Sequence, residues 1–258
     1  MKLELTGRAV VTGAGQGIGR AIALGLLSAG ATVQAIGRDR SKLETLVAEA
    51  DVSPERVIVS ALDIRDTEAA KAALSDDQAE PVRYLVNAAG VLNPGSLLDA
   101  SEAVLREIID INLTATMLFT QLVARQMVGH GAGSIVTIGS NSGTTPRVGL
   151  GIYPASKAGV EQAMKCLGLE LAAHGIRCNI VSPGSTDTEM QRSYQSDKNG
   201  FEQVVKGDPE NWRLGIPLGR LAMPEDVADL VLFLLSEKAR HITMENIVLD
   251  GGASLGAR

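Results

Sequence analysis

Short runs rich in Val, Ile and Ala alternate with helix-forming stretches along the whole chain. The apolar runs fall at 8–12, 31–37, 56–60, 83–87, 134–139, 176–181 and 245–249. Helices are expected at 17–29, 41–50, about 67–74, 102–127, 153–173 and 224–235. A strand buried on both faces reads as a continuous apolar run, and parallel strands covered by helices are buried that way. The alternation therefore predicts an α/β chain with a doubly wound parallel sheet of about seven strands.

The chain has 258 residues and shows no linker, repeat or low-complexity tract, so one domain is expected. Hydrophobic residues make up 45% and aromatics only 3%, which leaves Ala, Val, Ile and Leu to build the core. The net charge of −6, with no basic block, argues against nucleic acid or an anionic membrane surface as a partner. No apolar run approaches the roughly 20 residues that span a bilayer. The first seven residues show no signal-peptide pattern, so a cytoplasmic protein is expected. Cys166 and Cys178 form no CxxC and are expected to be small buried thiols. His130, His174 and His241 are far apart, and no metal-ligand spacing is present. The segment at about 185–215 is polar, carries Gly200, Gly207 and Pro209, and is expected to be an irregular loop over a binding site.

Three motifs carry chemistry. Thr12-Gly13-Ala14-Gly15-Gln16-Gly17-Ile18-Gly19 lies between the first strand and the first helix. Glycines there permit a tight turn and let backbone amides approach a diphosphate at a helix N-terminus. Asn87-Ala88-Ala89-Gly90 ends the fourth strand, where small residues let a ligand lie against the strand tips. Tyr153 and Lys157, one helical turn apart, put a phenol beside an ammonium. A cation favours phenolate, so Lys157 is expected to lower the Tyr153 pKa and fit it for proton transfer with an alcohol.

In order and spacing these motifs resemble the short-chain dehydrogenase/reductase family, over the whole chain. The resemblance implies a single-domain Rossmann fold that binds NAD or NADP. It implies Tyr153 as acid/base, Lys157 as its partner and holder of the nicotinamide ribose, Ser140 on the reacting oxygen and Asn112 as anchor of a water relay. Ser142 is an alternative to Ser140, and a helix bend is an alternative role for Asn112. The cofactor would lie on Gly13, Gln16, Gly17, Ile18, Gly19, Arg38, Asp63, Ile64, Asn87, Ala88 and Gly90. It would also meet Tyr153, Lys157, Pro183, Gly184, Thr186 and Thr188. Asp63 has helix capping as its other reading. The family also implies a homotetramer that pairs the long helices.

A narrower resemblance runs through Lys165-Cys166-Leu167-Gly168-Leu169-Glu170-Leu171, Val181-Ser182-Pro183-Gly184-Ser185-Thr186-Asp187-Thr188-Glu189-Met190-Gln191, Leu214-Gly215-Ile216-Pro217-Leu218 and the segment from His241 to Gly256. These stretches look like the 2,3-dihydro-2,3-dihydroxybenzoate dehydrogenases, which act in catecholate siderophore synthesis. Such a substrate is a small carboxylated cyclic diol, and its carboxylate calls for a cation. Arg147 and Arg192 are the candidates, with Met190 and Gln191 beside the ring. Related readings are a dihydro-3-hydroxyanthranilate dehydrogenase, a 3-oxoacyl carrier-protein reductase and a non-catalytic nucleotide-binding regulator. An acid at the end of the second strand would mark NAD, but Gly37 and Arg38 stand there, with Asp39 one residue late. The residues leave both coenzymes open.

Overall fold

The computed structural model describes residues 3–75, 80–194 and 200–255. The strands in chain order are β1 Arg8–Thr12, β2 Thr32–Gly37, β3 Val57–Ala61, β4 Val82–Asn87, β5 Gly133–Ile138, β6 Ile176–Pro183, β7 Gly207–Asp208, β8 Arg213–Leu214 and β9 Asn246–Leu249. Seven of them form one sheet in the order β3-β2-β1-β4-β5-β6-β9, and each adjacent pair is parallel. The chain moves outward from β1 to β3, then returns to place β4 beside β1. That reversal opens a crevice at the carboxyl ends of β1 and β4, where open α/β sheets take ligands.

Alternate residues of β1 face opposite layers. Ala9 and Val11 join the cluster built on α1 (Gly17–Ser28) and α9 (Pro224–Leu235), while Val10 joins the other cluster. The second layer includes α3 (Thr67–Leu74), which follows α2 (Arg40–Glu49) and β3. Both faces of the central strands are thus dry, which explains their unbroken apolar runs.

The helix expected at 102–127 is one path but not one regular helix. It consists of α4 (Glu102–Ile109), a π turn over Asp110–Ala115, and α5 (Thr116–His130). Asn112 sits in the π turn and explains it. Its Oδ1 accepts from the Val91 N–H at 2.8 Å, and its Nδ2 donates to the Val91 carbonyl at 2.9 Å and Ser156 Oγ at 3.0 Å. The widened turn lets this side chain reach the loop after β4. Thr116 Oγ1 donates to the Ile111 carbonyl at 3.1 Å, which satisfies a backbone group in the widened turn.

The helix after it, α6, spans Tyr153–Leu171. Two of its small residues pack within the chain: a Cβ on Gly159 would meet Leu113, and one on Gly168 would meet Met244 and Cys178. Cys178 is buried, but Cys166, on the outer face of α6, is exposed, contrary to expectation. The region expected to be irregular also has structure. It holds the short helices α7 (Glu189–Tyr194) and α8 (Gly200–Lys206) and an antiparallel hairpin of β7 and β8. Asp208 organises the hairpin turn by accepting from the Asn211 N–H at 3.3 Å and Asn211 Nδ2 at 2.7 Å. Helix signals in 189–206 are too short to register as periodicity, and a two-residue strand has no sequence pattern. Among the described residues no helix is long and apolar enough to cross a membrane.

Candidate active site

Thr12 closes the crevice floor. Its Oγ1 accepts from the Ala88 and Ala89 N–H groups at 3.1 and 3.2 Å, locking the tip of β1 to that of β4. The turn that follows tolerates only glycine at two points. Gly13 has φ +70°, and a Cβ there would lie 2.8 Å from the Ala89 nitrogen; a Cβ on Gly19 would strike the Gly13 carbonyl oxygen. Helix α1 then starts with no side-chain cap and no acid in its first turn. Its leading N–H groups and the positive end of its dipole face the crevice, and a cradle this tight fits the diphosphate of a dinucleotide.

A cavity of about 750 Å³ extends from this turn, past Asp63, Ile64 and Gly90, to Ser140, Tyr153 and Lys157. At its outer end lie Gly37, Arg38, Asp39 and Lys42. Asp39 caps α2: its Oδ1 accepts from the Ser41 N–H at 2.9 Å, the Ser41 hydroxyl at 2.7 Å and the Lys42 N–H at 3.3 Å. Lys42 Nζ bridges Gln16 Oε1 at 2.5 Å and Glu189 Oε2 at 2.7 Å. Asp63 is paired with Arg65, accepting from its backbone N–H at 3.0 Å and its guanidinium at 2.7 and 3.1 Å. The next helix, α3, is capped by Asp66 instead.

At the inner end, Ser140 ends the loop after β5. Its Oγ accepts from the Ser142 N–H at 3.2 Å and lies 2.8 Å from Ser142 Oγ. Ser140 is also the residue that pulls the Tyr153 phenol down. Lys157 is buried and donates to the Ile138 carbonyl at 2.8 Å, with Nζ 5.7 Å from the Tyr153 ring centroid. Ser156 donates to the Tyr153 carbonyl at 2.7 Å while accepting from Asn112, so it joins the π turn to the first turn of α6. Burial governs the titration of both central groups. It pushes the Tyr153 phenol up to about 12, against an opposing pull from Ser140, and pushes Lys157 down to about 8. The expected lowering of Tyr153 by Lys157 is therefore not seen: enclosure disfavours the charged form of each group.

The cavity thus joins an anion cradle to a serine, tyrosine and lysine cluster. A model of the short chain dehydrogenase family matches residues 8–199. The chain belongs to the short-chain dehydrogenase/reductase family. It is 45% identical over 250 residues to the 2,3-dihydro-2,3-dihydroxybenzoate dehydrogenase of Bacillus subtilis, covering 96% of each chain. It is 39% identical over 261 residues to the enzyme of that name from Escherichia coli K12, covering 99% of this chain and 100% of the other. Among solved structures, an oxidoreductase of the short-chain dehydrogenase/reductase family from Burkholderia thailandensis matches with a TM-score of 0.87 and 33% identity, over 96% and 93% of the two chains. Like other members of this family, the chain is an NAD(P)-dependent oxidoreductase acting on CH–OH groups.

Most residues expected to serve the family's chemistry line the one cavity. Gly13, Gln16, Gly17, Ile18, Gly19, Arg38, Asp63, Ile64, Ala88, Gly90, Pro183, Gly184, Thr186 and Thr188 all do so. So do Ser140, Arg147, Tyr153, Lys157, Met190 and Gln191. Three expected residues do not. Asn87 turns inward, donating to Thr120 Oγ1 at 2.9 Å and Thr137 Oγ1 at 3.0 Å, because side chains on a strand alternate and its neighbour Ala88 takes the cavity side. Arg192 is held outside by Asp187, with contacts of 2.7 and 3.0 Å. Asn112 is buried beside the cavity, and its side-chain groups are engaged by Val91 and Ser156. Sequence reasoning missed Lys42 and Arg213, both on the cavity wall, where Ser142, the alternative to Ser140, also lies. Only Lys42 carried a hint, as a cation near the end of β2.

Proposed function

We propose that this chain oxidises 2,3-dihydro-2,3-dihydroxybenzoate to 2,3-dihydroxybenzoate, a step toward catecholate siderophores. The observation that carries the reading is Arg147. Its guanidinium is half-buried on the same cavity wall as Ser140 and Tyr153, in a chain aligned end to end with dehydrogenases of that name. A benzoate-type substrate offers the carboxylate that such a cation needs.

A bound nicotinamide supplies the hydride acceptor. Ser140 holds the reacting hydroxyl oxygen. Tyr153 takes the hydroxyl proton as the hydride leaves the carbon, giving a ketone. The ketone tautomerises to the aromatic diol, which drives the oxidation forward. Lys157 holds the ribose and steadies the charge that develops beside Tyr153. Asn112 keeps the loop after β4 and the first turn of α6 in register. Thr186 and Thr188 flank the nicotinamide end, and Met190 and Gln191 flank the substrate ring.

NADP is the preferred coenzyme on this reading. Gly37 offers no acid to the ribose 2′-hydroxyl, Asp39 is drawn into capping α2, and Arg38 and Lys42 stand on that wall. The described parts of segment 185–215, residues 185–194 and 200–215, form the substrate-covering part of the single domain on this reading; 195–199 lie outside the described residues. A homotetramer pairing α5 and α6 accords with the exposure of Leu118 and Leu169 on those helices.

The test follows absorbance at 340 nm with 2,3-dihydro-2,3-dihydroxybenzoate and each coenzyme in parallel. Reduced coenzyme should form with release of 2,3-dihydroxybenzoate, and Tyr153→Phe should abolish it. Protein that binds coenzyme yet turns over nothing with either one would overturn the reading.

A further inference from the structure

We infer that Arg213 is the second cation of the substrate site and grips the carboxylate opposite Arg147. This rests on the benzoate-type reading above and extends it to a residue on the hairpin.

Strand β8 begins at Arg213, and the residue lines the same cavity as Arg147, Ser140 and Tyr153. Among the described residues its guanidinium makes no hydrogen bond or ion pair within the chain, though its charge helps hold the Asp208 carboxyl low. Its cross-strand partner is Asp208. That carboxylate is already engaged by Asn211 through the backbone N–H and Nδ2. Arg147 is scarcely better provided, with one hydrogen bond, to the Ala253 carbonyl at 3.3 Å. The acid on its side, Asp250, is held by Asn141 Nδ2 at 3.1 Å, the Gly252 N–H at 3.0 Å and the Ser254 hydroxyl.

The two guanidiniums also feel each other. Burial first, and then the charge of Arg213, hold Arg147 below its ordinary value, with Asp250 pulling the other way. Like charges on one half-enclosed wall, each short of acceptors, are stabilised by an anion between them. The coenzyme diphosphate would be held by the cradle at the start of α1 and so is not the anion for this pair. A carboxylate on the substrate ring does, and two planar forks fix its direction as well as its charge. Trp212 supports the placement. It precedes Arg213 with φ +55°, a left-handed backbone that non-glycine residues rarely adopt, and this geometry sets the direction in which β8 leaves the turn.

The experiment is a calorimetric titration of the whole protein, saturated with reduced coenzyme, with 2,3-dihydroxybenzoate and with catechol, which lacks the carboxylate. Wild-type protein should bind the acid more tightly than catechol. Arg213→Ala should cut that preference by about tenfold or more, and Arg213→Lys, which keeps the charge, should retain part of it. A preference unaltered in Arg213→Ala, or no preference in the wild type, overturns the assignment. Turnover of the dihydrodiol is measured alongside. Acid-selective binding that depends on Arg213, without turnover, would sink the proposed reaction and leave the carboxylate site standing.

Discussion

The Lys42 ammonium lies 2.7 Å from the Glu189 carboxylate, joining residues 147 positions apart across the outer mouth of the cavity. The same ammonium holds Gln16 of the glycine-rich turn. One cation thus links the glycine-rich turn to α7. The pair is largely exposed, so its worth to stability is below about 1 kcal/mol. Its effect should appear in coenzyme binding. Lys42→Ala should raise KM for NADP severalfold more than KM for NAD. Glu189→Gln, which frees the ammonium for a 2′-phosphate, should lower KM for NADP. Initial rates with both coenzymes decide it, and equal changes for the two would count against the assignment.

Coenzyme preference should also be reversible at one position. A Cβ on Gly37 would meet nothing nearer than Leu43 at 3.5 Å, an ordinary contact. Gly37→Asp should therefore fold, place an acid at the tip of β2 and repel a 2′-phosphate. The ratio of kcat/KM for NAD over NADP should rise by about a hundredfold, the scale of a few kcal/mol in charge interactions. An unchanged ratio in steady-state kinetics would show that the 2′ position is read elsewhere.

Oxidation and reduction should respond to pH differently. Burial raises the Tyr153 phenol, so around neutrality the protonated form predominates. Reduction needs that proton and oxidation needs it gone. The kcat/KM for oxidation should therefore climb from about pH 6 to about pH 9.5, while that for reduction of a saturated cyclic ketone, which cannot aromatise, should stay level, because the phenol keeps its proton until pH nears 12. Parallel slopes in the two directions would remove Tyr153 from the proton-transfer step.

Lys157 should weaken the fold while serving the chemistry. Its folded-state pKa lies at about 8 against an ordinary 10.5, so the unfolded chain holds the proton more tightly. The penalty is fully present below pH 8 and fades as pH rises through 10.5. A shift of that size corresponds to roughly 3 kcal/mol. Lys157→Met should therefore lose activity and yet raise Tm by a few degrees at pH 7, with a smaller gain near pH 10. Thermal unfolding at both pH values checks this, and a lower Tm at pH 7 would contradict it.

What the sequence disclosed was decided by local physics. The seven parallel strands were legible because strands dry on both faces leave long apolar runs, as at Val82–Asn87 and Ile176–Pro183. The glycine-rich turn and the Tyr153–Lys157 pair were legible because their spacing is short and their geometry local. The features that escaped depend on partners far along the chain. The π turn exists because Asn112 reaches Val91, 21 residues earlier. Arg192 was a plausible cation until Asp187 claimed it. Arg213 gave no signal because its place on the cavity wall depends on a four-residue ladder that periodicity cannot detect. The direction of the Tyr153 shift depends on enclosure, which no spacing of residues reports.

A π turn is an α-helix with one residue too many. Deleting a residue between 110 and 115 would let the turn close to a regular helix, with the helices on either side still in phase. Asn112 would swing off Val91, while Ser140, Tyr153 and Lys157 stayed chemically intact. The active centre is thus protected by an irregularity in chain length, and a single lost codon could disarm it with every reacting side chain still present.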